Sequence, residues 1–224
     1  MSGVEVLLNV NNIIRILTGM LEALQIAGIS LVIGISLGVI FGVLRLSKSR
    51  FIRWFFKLYL EFVRIIPILV LLYLLYYLMP QLINQTWSNK QVSIIVFVIW
   101  ISGETSDLVR ASLLNVSDTQ IESARALGFS KYQILKEVLI PQALPTVIAP
   151  LVNLATRVIK TTSLLMMIGV DEMIRVGQQI VERYTYTYHT ASLWVYGFIM
   201  VLYFILCYPL TKYANYLERK MAKR

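Results

Sequence analysis

A run of 22 residues without a charge, Ala23 to Leu44, constrains this fold more than any other feature of the chain. It is long enough for one α-helix to cross the apolar core of a bilayer, which takes about 20 residues. Within the run, Gly34, Gly38 and Gly42 recur at every fourth position. A stripe of small residues allows a second helix to approach closely. We predict that this stripe packs inside the chain, with contact to a second subunit as the alternative.

The rest of the chain extends the same apolar pattern. Hydrophobic residues make up 58% of the sequence and the mean hydropathy is +0.70, whereas soluble domains are about 45–50% apolar. After an interfacial lead-in helix within residues 1–22, further spans are predicted at about 58–79, 92–114, 144–167 and 193–213. The sequence therefore predicts an all-α polytopic membrane protein, a single domain over 1–224 with about five transmembrane helices.

Basic residues cluster at the ends of the predicted spans. The net charge is +9, and one cluster lies in a predicted loop over residues 45–57 while another forms the carboxyl-terminal tail. The positive-inside rule places both clusters in the cytoplasm and the amino terminus outside. Because the charges follow the spans, we interpret them as a topology signal and expect no nucleic-acid partner.

Residues that would support catalysis or metal binding are sparse. The chain has one cysteine and one histidine, which excludes an internal disulfide framework and argues against a histidine metal site. It contains neither a phosphate-binding loop with its lysine nor a nucleophile–histidine–acid set. We predict no catalytic residue, no metal and no cofactor in this chain, so any ATP would be bound by another subunit.

A polar segment at residues 115–141 interrupts the apolar pattern. Its capping and helix-ending residues predict two short helices. The predicted capping boxes are Ser117 with Gln120 and Ser130 with Gln133. Gly128 can adopt the left-handed conformation that ends the first helix. Pro141 lacks a backbone N–H and marks a helix end or a kink. A compact pair of helices of this kind is suited to docking into a soluble partner.

This segment resembles the EAA loop of bacterial ABC importer permeases. The matching positions are Glu122, Ser123, Ala124, Gly128, Val138, Ile140 and Pro141, with departures from the pattern at Ser123, Val138 and Ile140. Resemblance to the polar amino acid uptake group continues at Glu61, Arg64, Pro67, Leu69 and Val70, in LIPQAL at 139–144, and in Lys160 to Leu164. It covers the chain from about residue 18 to its end.

The resemblance implies the fold and partners of a type I importer in the bacterial cytoplasmic membrane. It implies a second permease subunit, identical or paralogous, a cytoplasmic dimer of ABC ATPases, and a substrate-binding protein outside. The cargo would be a polar amino acid. The loop would sit in a groove of the ATPase, with Glu122 and Ser123 at its polar edge. Ala124, Leu127 and Phe129 would pack into the groove on either side of Gly128.

Charged residues within the predicted spans are costly in lipid and normally turn inward. Glu61 and Arg64 lie one turn apart and are interpreted as a local ion pair or as a gate beside Pro67. Glu104, Asp107 and Arg110 share a helical face. We interpret them as an ion-pair network at the base of the loop, with substrate contact by Glu104 as the alternative.

A further polar stripe lies in the fourth span. Asn153, Arg157 and Lys160 follow at i, i+4 and i+7 and therefore share a face. Arginine binds a carboxylate through two hydrogen bonds, and every amino acid carries one. With Arg64 and Glu104, these residues are the candidates for the substrate path. Pairing of the stripe with Glu104 or Asp107 is the alternative.

Other functions remain compatible with the sequence. A permease for another small solute would carry the same loop, and a non-transport membrane scaffold or sensor would have a similar composition. A scaffold would not require the polar stripe of the fourth span. No inverted repeat is visible in the hydrophobic pattern, which argues against a secondary transporter.

Overall fold

A computed structural model describes residues 3–221, and these residues are helical with short connections. The first half contains α1 (Val4–Leu8), α2 (Val10–Leu44), α3 (Arg50–Ile65), α4 (Ile68–Tyr73), a π-helical turn (Leu74–Leu78), α5 (Met79–Ile83) and α6 (Asn89–Leu114). The second half contains α7 (Asp118–Ala126), α8 (Lys131–Gln133), a π-helical segment (Ile134–Leu139), α9 (Ile140–Thr161), a 3-10 helix (Thr162–Ile168), α10 (Met173–Tyr184) and α11 (Ala191–Met221).

Within residues 3–221, four helical stretches are long and apolar enough to cross a membrane. They are Val10–Leu44, Asn89–Leu114, Lys131–Ile168 and Ala191–Met221. A fifth is reached if Arg50–Ile65 and Ile68–Leu82, which are separated by a short break, count as one span. The predicted helical membrane fold is confirmed.

Several predicted boundaries are wrong. The lead-in helix expected within residues 1–22 is limited to the short α1 (Val4–Leu8), because α2 begins at Val10 and runs without interruption through the charge-free run. The predicted basic loop at 45–57 is shorter than expected, because helix α3 begins at Arg50. Of the two alternatives at Pro141, a helix end or a kink, the helix end is wrong, because the π-helical segment before it leads directly into α9. In the tail, Lys223 and Arg224 lie outside the described residues.

The described residues form two compact units. The first unit combines the chain up to Leu31 with Pro67–Phe97 and Thr156–Pro209, and the second combines Val32–Ile66, Val98–Ala155 and the chain from Leu210 onward. The core of the first unit packs Ile16 of α2 against α10 and α11, with Met173, Ile180 and Ile199 buried. The second unit buries Val109 and Leu113 of α6 against Ala143 and Val147 of α9.

The glycine stripe of α2 packs inside the chain, as predicted. A Cβ added at Gly34 would lie 2.7 Å from the Ile101 side chain, and one at Gly42 would lie 2.8 Å from Val109. Between them, Gly38 faces Thr105. The partners on α6 are spaced by four residues like the glycines themselves, so the two helices meet along a continuous line in the second unit.

Two charged residues of α2, Arg15 and Glu22, have partners inside the first unit. Arg15 donates to the Gln179 side chain at 2.6 Å, and Lys90 pairs with Glu22 at 2.9 Å. These contacts explain how α2 can carry both charges along an otherwise apolar helix.

Glu172 is the one fully buried carboxylate among the described residues. It caps α10 by accepting hydrogen bonds from the backbone N–H groups of Ile174 at 2.9 Å and Arg175 at 2.8 Å, and Tyr203 lies beside it. Burial raises the pKa of Glu172 from 4.5 to about 7, although the two backbone donors oppose the shift. No local pattern of residues indicates this site, because burial of a carboxylate depends on packing.

We expect the stability of the first unit to depend on pH through Glu172. Since the folded protein binds this proton more tightly than the unfolded chain, the stabilisation is complete below pH 4.5 and is lost as the pH rises toward 7. Thermal unfolding of the detergent-purified protein between pH 5 and 8 should show the midpoint falling with pH. The Glu172→Gln variant should show a flatter profile, and an identical slope in both proteins would contradict this role.

Candidate coupling site

Helix α7 ends at Gly128 in the manner that the sequence predicts. Gly128 has φ +83°, in the left-handed region. The Phe129 N–H donates to the Ala124 carbonyl at 3.0 Å, and the Gly128 N–H donates to the Arg125 carbonyl at 2.9 Å. These two bonds form a Schellman motif, which satisfies the last carbonyls of the helix. The chain therefore turns sharply at Gly128 and enters α8 after Ser130.

The two predicted capping boxes have different outcomes. Ser130 forms a complete one: its hydroxyl accepts from the Gln133 N–H at 3.3 Å, and the Gln133 side chain accepts from the Ser130 N–H at 2.8 Å. Ser117 is the N-cap of α7, as predicted, but its side chain makes no capping bond. The predicted box with Gln120 is wrong, because Gln120 instead accepts a hydrogen bond from Gln142 at the start of α9.

The residues predicted to contact the ATPase divide into exposed side chains and side chains that support the loop. Leu127 is 76% exposed, Phe129 is 38% exposed, and Glu122 is also exposed. Ala124 is only 6% exposed, and what is exposed of it lines the cavity beside the turn. Ser123 points its hydroxyl back to the Thr119 carbonyl at 2.8 Å.

A cavity of about 320 Å³ opens beside the turn at Gly128. It is lined by Ser123, Ala124, Leu127 and Phe129 from the first half of the loop, and by Glu137 and Val138 from the second. The loop therefore presents a concave surface flanked by two apolar side chains. Such a surface can accept an apolar or mixed projection from another protein.

Helix α6, which leads into the loop, carries an ion-pair network in the second unit. Asp107 of α6 accepts from Arg45 at 3.1 Å and from Arg64 at 2.8 Å, one cation on each carboxylate oxygen. Arg64 also contacts Glu104 at 3.5 Å. The prediction that Glu104 and Asp107 belong to an ion-pair network is thus confirmed, but the cations that bind them are Arg64 and Arg45, whereas the sequence predicted Arg110.

Of the two alternatives for Arg64, the local ion pair with Glu61 is wrong, since Arg64 turns to α6. Sequence reasoning also missed the role of Arg45, which it counted only as a loop cation. Arg45 is 8% exposed and also donates to Ser106 at 3.2 Å. Burial lowers the pKa of Arg45, against the opposing effect of Asp107.

The remaining candidates for the substrate path lie along α9. Asn153 donates to Glu218 of α11 at 3.1 Å in the second unit, which is a partner that the sequence did not suggest. Arg157 and Lys160, which belong to the first unit, are exposed. The alternative that Asp107 pairs with the polar stripe of α9 is wrong, because Asp107 bonds to Arg45 and Arg64.

Comparison with known proteins identifies the family and the fold of the chain. Residues 34–223 match the family described as binding-protein-dependent transport system inner membrane component. An L-cystine transport system permease protein, TcyB of Bacillus subtilis, is 31% identical over 203 residues, covering 91% of this chain and 85% of that protein. A crystal structure of an amino acid ABC transporter with histidines has the same fold, with a TM-score of 0.84, 24% identity and coverage of 96% and 97%.

A second solved structure, of the MetNI methionine ABC transporter in an inward-facing conformation, matches with a TM-score of 0.71, 22% identity and coverage of 93% and 96%. The fold is therefore that of an importer permease. The chain belongs to the family of binding-protein-dependent transport system inner membrane components. It is a multi-pass membrane protein and one component of a transport system that includes other proteins.

Proposed function

We propose that this chain is the transmembrane subunit of an ATP-driven ABC importer for a polar amino acid. The loop at 115–141 transmits the motion of a separate ATPase dimer to the helices. The observation that carries this proposal is the turn at Gly128, which exposes Leu127 and Phe129 beside a cavity. The loop that carries this turn follows α6, which is tied to its neighbours by the ion pairs of Asp107. A rigid projection can pass on a displacement of the ATPase because its own shape is held by internal bonds.

Two features support a rigid loop. The Schellman bonds and the Ser130 capping box fix the two short helices on either side of Gly128. Apolar contacts then tie the loop to its support, since Leu135 and Leu139 pack against the buried cluster of Val109, Leu113, Ala143 and Val147. We assign the ATPase contact to Glu122, Leu127 and Phe129, with Ser123 and Ala124 shaping the surface from behind.

The proposed orientation places this loop in the cytoplasm of a bacterium, with the amino terminus outside and the carboxyl terminus inside. Basic residues at 45–57 and in the tail support it through the positive-inside rule. The complete importer would contain a second permease subunit, identical or paralogous, a pair of ATPase subunits that bind ATP, and a substrate-binding protein outside. This chain itself would bind no cofactor.

The amino acid cargo is supported by the L-cystine permease relative and by the cationic side chains on α9. Arg157 and Lys160 are exposed and can attract the carboxylate that every amino acid carries. We assign them, with Asn153, to the substrate path. Arg64 and Glu104 would contribute to that path through the ion-pair network in which they are held.

Replacing Gly128 with valine is expected to uncouple ATP hydrolysis from transport. A β-branched residue is strained at φ +83°, so the turn would reopen and move Leu127 and Phe129. The matched control is Gly128→Asn, because asparagine tolerates the left-handed region and no atom lies within 4 Å of an added Cβ. Reconstituted liposomes with the ATPase and binding protein would measure amino acid uptake per ATP hydrolysed, and we expect at least a tenfold loss for valine and a small loss for asparagine.

The same liposomes test the cargo. ATP-dependent accumulation of labelled cystine, glutamine, acidic or basic amino acids would identify the substrate class. Accumulation of a sugar or metal instead would favour a permease for another solute, and failure to bind any ATPase would favour the scaffold. Normal coupling in Gly128→Val, with the protein correctly assembled, would contradict the proposed role of the loop.

A further inference from the structure

A cationic cavity of about 640 Å³ lies in the second unit, apart from the turn at Gly128. Six basic residues line it: Arg45, Arg50, Arg53, Lys57, Arg64 and Arg110. The acids in its lining are Glu61 and Asp107, so six positive charges face two negative ones and leave a surplus of four. The volume lies within the range of about 300–1,000 Å³ that is typical of ligand sites.

The surplus is concentrated on the first turns of α3. Asp107 is already shared by Arg45 and Arg64. The Arg53 guanidinium is fixed by the backbone carbonyls of Ser47 at 2.7 Å and Lys48 at 3.0 Å, neither of which neutralises it. Arg50, Arg53 and Lys57 follow at three- and four-residue spacing and therefore form one basic face of the helix. A site of this charge attracts anions from its surroundings.

The neighbouring face of α3 is apolar and exposed. Phe51, Phe55, Leu58, Phe62 and Ile65 form a stripe along it, and each is between 47% and 74% exposed. Trp54 lies between this stripe and the cavity and is itself exposed. A helix with one basic and one apolar face, and a tryptophan at their border, is typical of a membrane–water interface.

We propose that the cavity binds the phosphate headgroup of an anionic phospholipid whose acyl chains lie along the apolar stripe of α3. A soluble anion would use the basic residues and leave the stripe exposed, whereas a phospholipid occupies both faces of the helix. Basic pockets between membrane helices are suited to such headgroups. Glu61 lies at the cavity wall without a basic partner among the described residues, and it would select against headgroups that present a second negative charge to it.

Trp54 provides the probe. The permease is purified with its partner subunits and titrated with dibrominated phosphatidylglycerol or dibrominated phosphatidylcholine, whose bromines quench nearby tryptophans. The Trp54→Phe variant identifies the share of quenching due to Trp54, because the chain has four tryptophans. We expect phosphatidylglycerol to quench Trp54 at concentrations at least tenfold lower than phosphatidylcholine.

The variant Arg50→Gln/Arg53→Gln/Lys57→Gln should lose this preference by about tenfold or more, since each basic residue near an anionic surface contributes about fivefold. The matched control, Lys212→Gln/Arg219→Gln/Lys220→Gln, removes the same charge from α11 and should retain the preference. Equal quenching by both lipids, no quenching by either, or an unchanged preference in the α3 variant would overturn the proposal. Displacement of the lipid by millimolar inorganic phosphate would also overturn it in favour of a soluble anion.

Discussion

Replacing Asp107 with alanine is expected to destabilise the protein by about 3 kcal/mol, because it leaves Arg45 buried without its carboxylate. Asp107 joins α6 to the loop after α2 through Arg45 and to α3 through Arg64, at 3.1 and 2.8 Å. Arg64 is 45% exposed and can be fully hydrated after the change, whereas Arg45 is 8% exposed and is hydrated much less. The loss should therefore come mainly from Arg45. Thermal unfolding of the purified protein in detergent would measure it.

Two comparisons separate this effect from a general loss of charge. Glu137→Gln removes a carboxylate from an exposed pair with Lys136 and is expected to change stability by less than about 0.5 kcal/mol. Adding Arg45→Met to Asp107→Ala should recover part of the loss, because the buried cation is then gone. An Asp107→Ala protein as stable as the parent would show that the network does not support the second unit.

Replacing Gly38 with valine is expected to separate α2 from α6. A Cβ at this position would lie 2.4 Å from the Thr105 Cβ and 2.9 Å from the Ser102 carbonyl oxygen. Neither atom can move without displacing the α6 backbone or its packing, so the cost should reach about 3 kcal/mol or more. For a chain of this size that corresponds to a fall of roughly 6–12 °C in the unfolding midpoint.

The matched control is Gly28→Val in the same helix. No atom lies within 4 Å of a Cβ added at Gly28, so the substitution meets open space. Both variants carry the same change in hydrophobicity and helix propensity, and the difference between them reports the helix contact alone. Equal midpoints for Gly38→Val and Gly28→Val would contradict the close packing of the glycine stripe.

Much of the coupling loop was predictable because its determinants are local. Gly128 ends α7 in a left-handed conformation, and Ser130 caps α8 with Gln133, as residues within a few positions of each other dictate. Ser117 shows the limit of such reasoning. It occupies the predicted N-cap, but Gln120 is drawn to Gln142, a partner 22 residues away that no local rule can identify.

The charged residues also divide into features that the sequence predicts and partners that only packing decides. That Glu104 and Asp107 must face inward followed from the cost of a charge in lipid. Which cation each would meet did not follow, because this depends on the helix that packs opposite. Spacing within α3 made a pair of Arg64 with Glu61 one of two alternatives, yet Arg64 bonds to Glu104 and Asp107 on α6.

The sequence by itself determined the apolar helices, the turn at Gly128, the glycine stripe of α2 and the family, since each depends on residue types at short and regular spacing. The tertiary structure alone decided the partner of Arg64, the burial of Arg45 and Glu172, and the basic cavity beside α3. Those features arise where residues distant in the chain are brought together. Their energies depend on desolvation and on distances of a few ångströms, which only packing sets.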